Sequence, residues 1–521
     1  MIRAVATLLL AAAIVGPAVG QSVLHRGNRY EPASLDPHKI QTHYESAIIL
    51  DLFEGLAAYD PMSRPVAGVA EAWTVSPDGK HWTFRLRSGL VWSDGTPLTA
   101  DDVVFTFRRL LDPKTAAHYA ALMYVIKGAA EINAGKAAVD SLAVTASDSR
   151  TVVIDLVNPA PYLPELLANA FAGILPRHAA TGEDWVSPGR MVSNGAFQLT
   201  AWSPQDRIVL GRNPKFRDAA AVKLDQVVYY PTADLTSALA RFRAGELDMQ
   251  FEFPSAQAAA LKSSLPAETR FAPALLTYYL AVNGENSKLS DVRVRRALSL
   301  AIDRETLVSR VLRSGEGAAY GFVAPGTAGY PPLEVADAKL APDAKVAEAR
   351  RLLSEAGYNS GRPLRIVYSH SSNEDIRRTA VAIAAMWKRV GVETELLNRE
   401  GKVHFAALKT GDFEVGFVGW TADFNDAATF LYVLRSNAVN SNYSRYRNAE
   451  FDRLMTEADG EPDGVKRIEL LRKAEARAIA DQALIPLYFG VSRNLVSSRV
   501  TGFTANPLDF YPSRYLGLRS P

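Results

Sequence analysis

The chain has 521 residues, 48% hydrophobic, 22% charged and 9% aromatic, an ordinary globular composition that excludes disorder, collagen and simple repeats. Lysine and arginine number 58 against 56 acidic residues, a net charge of +2 and too slight a basic excess for a dedicated nucleic-acid binder. With no cysteine, the chain has no disulfide, iron–sulfur cluster, thiolate zinc site, cysteine nucleophile or lipid-anchored N-terminal cysteine.

Met1-Ile2-Arg3 and the apolar run from Ala4 to Gly20 read as an export signal, with Arg3 as the positive end and Ala18-Val19-Gly20 as the small-residue cleavage site before Gln21. An uncleaved anchor is the competing reading, but the run falls short of the about 20 residues that cross a bilayer comfortably. The expectation is a soluble protein of a bacterial periplasm or exterior.

Residues 81–86 alternate, with Trp82, Phe84 and Leu86 on one face, and predict a half-buried strand. The turn cluster Trp92-Ser93-Asp94-Gly95-Thr96-Pro97 follows. Thr99 then reads as a helix cap, with Asp101 and Asp102 in the first turn and Val103, Phe107, Leu110 and Leu111 on the inner face. Strands are predicted at 152–156, 196–202, 207–210, 227–230 and 277–282, and a continuous helix over 291–311. Residues 364–368, 373–390 and 392–397 form a strand–helix–strand unit, the crossover that parallel strands require. A strand at 413–419, helices at 449–458 and 465–481, and a strand at 485–491 complete an α/β pattern with antiparallel parts.

Catalytic signatures are missing. There is no nucleophile elbow, HExxH helix, Walker loop or dinucleotide fingerprint, and His38 and His43 are five apart, the wrong spacing for one helical face. Asp101-Asp102 is explained by helix N-terminal electrostatics rather than by a carboxylate pair for catalysis. The reading is a binding protein without enzymatic turnover, cofactor or metal.

Several motifs in order carry a resemblance: Ser34-Leu35-Asp36-Pro37-His38, Asp51-Leu52-Phe53-Glu54-Gly55-Leu56, Val69-Ala70-Glu71-Ala72-Trp73, Trp92 to Ala100, Asn194-Gly195-Ala196, Asp291 to Ala297, and Gly419-Trp420-Thr421-Ala422-Asp423-Phe424. Together they resemble the family-5 extracellular solute-binding proteins of ABC importers, in the branch of the periplasmic oligopeptide-binding proteins. The resemblance implies a periplasmic-binding-protein type II fold of three domains: two lobes, a hinge and an extra domain. The implied layout is a signal peptide at 1–20, lobe I at 21–67, 190–283 and 490–521, the extra domain at 68–189, and lobe II at 284–489.

The resemblance also implies capture of a peptide or peptide-like ligand between the lobes and delivery to a permease and ATPase complex, by a monomer. Asp423 takes the place of the carboxylate that holds the ligand amine. Gly419, Trp420, Thr421, Tyr119, Tyr279, Gln41, His43, Glu252 and Phe417 fall at or near the implied cleft. Leu312, Ile376, Leu408 and Phe417 stand where relatives carry basic residues for the ligand carboxylate, which implies a far end of the cleft without cations. Glu252 implies a more acidic amine end. The same fold binding an opine, a modified sugar, an amine or a chelated metal is the alternative.

Overall fold

The computed structural model describes residues 21–519 except 183, 439 and 440. The expected export signal lies outside these residues. Strand His81–Leu86 forms as predicted, burying Trp82, Phe84 and Leu86, and joins Ala70–Val75, Thr151–Asp155 and Val144–Asp148 in an antiparallel four-stranded sheet. Helix Ala100–Leu111 starts after Thr99 and buries Val103, Phe107, Leu110 and Leu111. The Asp102 carboxylate accepts from the Thr99 N–H at 2.8 Å and from the Arg177 N–H at 3.1 Å, so it caps the helix and pins a distant loop.

A second sheet has eleven strands. One end holds the parallel strands Leu364–Ser371 and Val392–Arg399, joined through helix Glu374–Lys388 as the sequence predicts. Strand Val415–Thr421 follows, then the long strands Thr269–Val282 and Leu484–Val496. Beyond them lie Met249–Phe251, Val23–Asn28 and the antiparallel strands ending at Phe197–Ser203.

The two long strands lie in the middle of this sheet. Thr269–Val282 extends eight residues N-terminal of its predicted start at 277 and pairs with Leu484–Val496 along most of its length. The register breaks between Pro273 and Thr277, where proline cannot donate to the ladder. Leu276 in this break packs over Gly490; a Cβ on Gly490 would meet the Leu276 side chain at 2.6 Å and force it to shift.

Alternation along the strands feeds two cores, one on each face. Leu280, Val282, Val415, Phe417, Ile485 and Leu487 join one apolar cluster. Tyr279, Ala281, Val418 and Leu484 join another. At the other end of the molecule, a single cluster joins Leu24, Ile48 and Leu52 to Phe84, Phe107 and Ile154. The four-stranded sheet therefore shares a core with the N-terminal segment.

The continuous helix expected over 291–311 is broken. Val292–Leu300 ends, Asp303 accepts from the Thr306 N–H at 3.0 Å to start a second turn, and Leu307–Leu312 continues with π-helical bonding. Arg304 drives the break. It is buried, and its Nε donates to the carbonyls of Ala319 and Pro486, each at 2.8 Å, which anchors the interruption to strand Leu484–Val496.

Two of the recognition motifs are packing devices. Asn194 exchanges hydrogen bonds with the Glu54 backbone, both 3.0 Å, while a Cβ on Gly195 would meet the Asp51 carbonyl at 2.5 Å. Glu54 itself is buried between Arg217, bonded at 2.8 and 2.9 Å, and Arg514.

Candidate functional site

The cleft beside the hinge strands holds about 360 Å³ and is built from segments far apart in the chain. Helix His43–Leu52 presents its first turn. That turn is fixed by a capping box: Thr42 Oγ1 accepts from the Glu45 N–H at 3.2 Å, and Glu45 accepts from the Thr42 N–H at 3.0 Å. The register break contributes Ala274 to Leu276, strand Leu484–Val496 contributes Val491 to Arg493, and the C-terminal segment contributes Pro507 to Phe510.

Asp423 lies just past the end of strand Val415–Thr421. Its position is held through the backbone: the Asp423 N–H donates to Thr429 Oγ1 at 3.1 Å, and its carbonyl accepts from Asn169 Nδ2 at 3.3 Å. The next residue, Phe424, is buried and stacks on Tyr162 with centroids 4.7 Å apart. Asp426, just before helix Ala428–Leu431, accepts from the Ala428 N–H at 2.8 Å and pairs with Arg467 at 2.8 Å. Asp423 is left facing the cleft without an ion-pair partner among the described residues. Burial pushes its carboxyl up to about 6, against an opposing hydrogen bond from Thr429.

Thr421 and Tyr119 also line the cleft. Tyr119 stacks on Phe171 at 5.4 Å, and its phenol is pushed up to about 12 by burial, with the nearby Asp423 and Glu45 carboxylates adding to the shift. His43 lines the cleft too. Its ring stacks on Phe510 at 4.3 Å and Nε2 donates to the Asp509 carbonyl at 3.0 Å. Burial lowers its pKa, which keeps the ring neutral.

Glu252 reaches the cleft, but not as a free charge. It pairs with Arg29 and accepts from the Tyr44 hydroxyl at 3.0 Å, so the acidity expected of it is offset. The remaining sequence candidates fall outside the cleft lining. Tyr279 and Phe417 are buried in the two cores on opposite faces of the sheet, because strand alternation sends them there. Gly419 pairs with Tyr278, whose ring a Cβ would meet at 2.9 Å, so its smallness serves packing. Trp420 packs edge-on against Tyr432. Gln41 is exposed, and its carbonyl accepts a long 3.5 Å bond from Tyr119.

The expectation of a cleft without cations is also corrected. Leu312, Leu408 and Phe417 are buried in cores and Ile376 packs against one, so none lines the cleft. Arg493 does line it, held 3.0 Å from the nearly buried Glu316. Asp509 was missed as well. It adopts a left-handed backbone with φ 58°, as Glu252 does, and its Oδ1 accepts from Asn494 at 2.7 Å and Tyr511 at 2.8 Å. Burial raises its pKa. Asn506-Pro507-Leu508-Asp509 gives only a turn signal in the sequence, with nothing to place it beside Asp423.

The model for bacterial extracellular solute-binding proteins, family 5 Middle, matches residues 64–442. The chain is 38% identical over 496 residues to the periplasmic oligopeptide-binding protein OppA of Salmonella typhimurium, covering 94% of this chain and 91% of that protein. It is 36% identical over 510 residues to the probable deoxycholate-binding periplasmic protein YgiS of Escherichia coli, covering 97% and 95%. The unliganded open form of the periplasmic murein tripeptide-binding protein MppA superimposes with a TM-score of 0.85 at 34% identity, covering 96% of this chain and 98% of that one. The type II fold of two lobes and a hinge is therefore shared, and the chain belongs to the family-5 bacterial extracellular solute-binding proteins.

Proposed function

We propose that this chain is the periplasmic substrate-binding subunit of an ABC importer and captures a peptide by its free α-amine. The observation that carries this reading is Asp423, a carboxylate on the cleft wall with no cation of its own among the described residues. A ligand ammonium supplies the missing charge, and the cleft's aromatic and aliphatic walls accept the rest of the chain. The names of OppA and MppA support a peptide as the ligand. Export with cleavage near Gly20, delivery to a permease and ATPase complex, a monomeric state and the absence of catalysis complete the proposal. An anionic solute such as a bile acid is disfavoured, because Asp423 and Asp509 would repel it and Arg493 is already paired with Glu316.

Calorimetry with tri-alanine and N-acetyl-tri-alanine tests the reading at neutral pH. The free amine is expected to bind and the acetylated peptide to bind at least tenfold more weakly; equal affinities would contradict an amine anchor. The same titrations carry a pH signature. In the free protein Asp423 loses its proton only near 6, and a peptide amine stays protonated throughout pH 5–7. Binding below that point must expel the Asp423 proton, so affinity is expected to fall about tenfold from pH 7 to pH 5. An Asp423→Asn protein should lose that slope; a slope that persists there would place the titrating group elsewhere.

A further inference from the structure

We infer that the preferred ligand carries a second positive charge, on a side chain, and that Asp509 receives it. This rests on the reading of the cleft as a peptide site with the amine at Asp423.

The charges on the cleft wall do not balance without an occupant. Besides Asp509, three formally charged side chains line the cleft: Glu252 is matched by Arg29, Arg493 is matched by Glu316, and Asp423 is taken by the α-amine. Asp509 has no such match among the described residues. Its donors are neutral: Asn494 and Tyr511 both end on Oδ1, and the Ser492 hydroxyl also favours the carboxylate, so no cation balances the charge. The adjacent His43 is a neutral ring that bonds the Asp509 carbonyl, not its carboxylate. A half-buried carboxylate on a ligand-binding wall is costly unless something cationic meets it.

The surroundings fit a cation on an alkyl stem. Tyr44, His43, Phe251 and Phe510 form a chain of contacting rings along this side of the cleft, with His43–Phe510 stacked and Phe251 edge-on to both His43 and Tyr44. Aromatic faces attract ammonium and guanidinium groups and cover methylene stems. The chemical class is therefore a peptide bearing a lysine, ornithine or arginine side chain.

Calorimetry on paired tripeptides tests this. Lysine and its uncharged isostere norleucine are placed in turn at each position of tri-alanine, giving three pairs with the same amine and nearly the same bulk. At one position at least, lysine is expected to bind tenfold or more tighter than norleucine, and that ratio is expected to fall below threefold in Asp509→Asn. Using a ratio within each pair cancels any general loss of fold or affinity in the variant. On the wild-type protein alone, Nε-acetyl-lysine should behave as norleucine does. Peptides that all bind with no lysine preference at any position would overturn the inference and leave Asp509 as a brace for Asn494 and Tyr511. A lysine preference that survives in Asp509→Asn would also overturn it. If none of the free-amine peptides binds, the failure lies in the peptide reading itself, and the inference falls with it.

Discussion

Replacing Asp423 by asparagine is expected to weaken binding of a free-amine peptide on the order of a hundredfold or more. The substitution keeps the shape and removes the charge. Breaking one partner of a buried charge pair costs about 3–5 kcal/mol, and about 1.4 kcal/mol is a tenfold change in affinity. The geometry makes the effect specific. Thr429 and Asn169 hold Asp423 through its backbone, and Phe424 locks the next residue into the facing core, so the side-chain change leaves the loop in place. An N-acetylated peptide, which has no charge to pair, should lose little between the two proteins. Calorimetry on both proteins with both peptides isolates the amine–carboxylate coupling. A variant that binds the free-amine peptide within threefold of wild type would show that the amine is held elsewhere.

Replacing Glu54 by glutamine is expected to destabilise the fold by about 3–5 kcal/mol. Glu54 is buried between Arg217 and Arg514, and the change leaves Arg514 without a carboxylate and Arg217 with only the exposed Asp218. Burial alone would raise the Glu54 pKa, but Arg514 and Arg217 outweigh it and hold the carboxyl below its usual value. Its stabilisation is thus fully present above the ordinary glutamate range and is lost as pH falls through the lowered folded-state pKa. Urea denaturation at neutral pH measures the difference. Glu355→Gln is the control, because it breaks an exposed pair with Arg351 and should cost under about 1 kcal/mol. Equal midpoints for the two variants would show that the Glu54 cluster contributes no more than a surface ion pair.

Regular elements were legible in the sequence because their signals are local. The alternation of Trp82, Phe84 and Leu86 gave the strand His81–Leu86, and Asn373 with the periodic helix after it gave the parallel unit ending at Val392–Arg399. What was not legible depends on partners distant in the chain. The N-terminal part of Thr269–Val282 contains a proline and an out-of-register stretch, so it carries no clean alternation. The break at Asp303 follows from where Arg304 finds carbonyls, on residues up to 182 positions away.

The cleft divides in the same way. Asp423 stood out because it follows a recognisable motif and an apolar strand that delivers it to an edge. Tyr279 and Phe417 were misplaced because an aromatic residue on a strand next to the cleft reads the same whether it faces ligand or core. The register settles it, sending them to opposite faces. Arg493 and Asp509 had no motif at all. They matter only because the hinge strand and the C-terminal segment meet the loop after Val415–Thr421 around one cavity.

The central claim, that this cleft takes a peptide by its amine, is tested most directly by what the protein carries. Native mass spectrometry of the protein recovered from periplasm, with identification of the molecules released on denaturation, gives that answer. The account predicts peptides with free N-termini, enriched in basic side chains, released in near-stoichiometric amount when the protein is loaded. Release of an anionic or non-peptide solute, or of peptides uniformly blocked at the N-terminus, would contradict it.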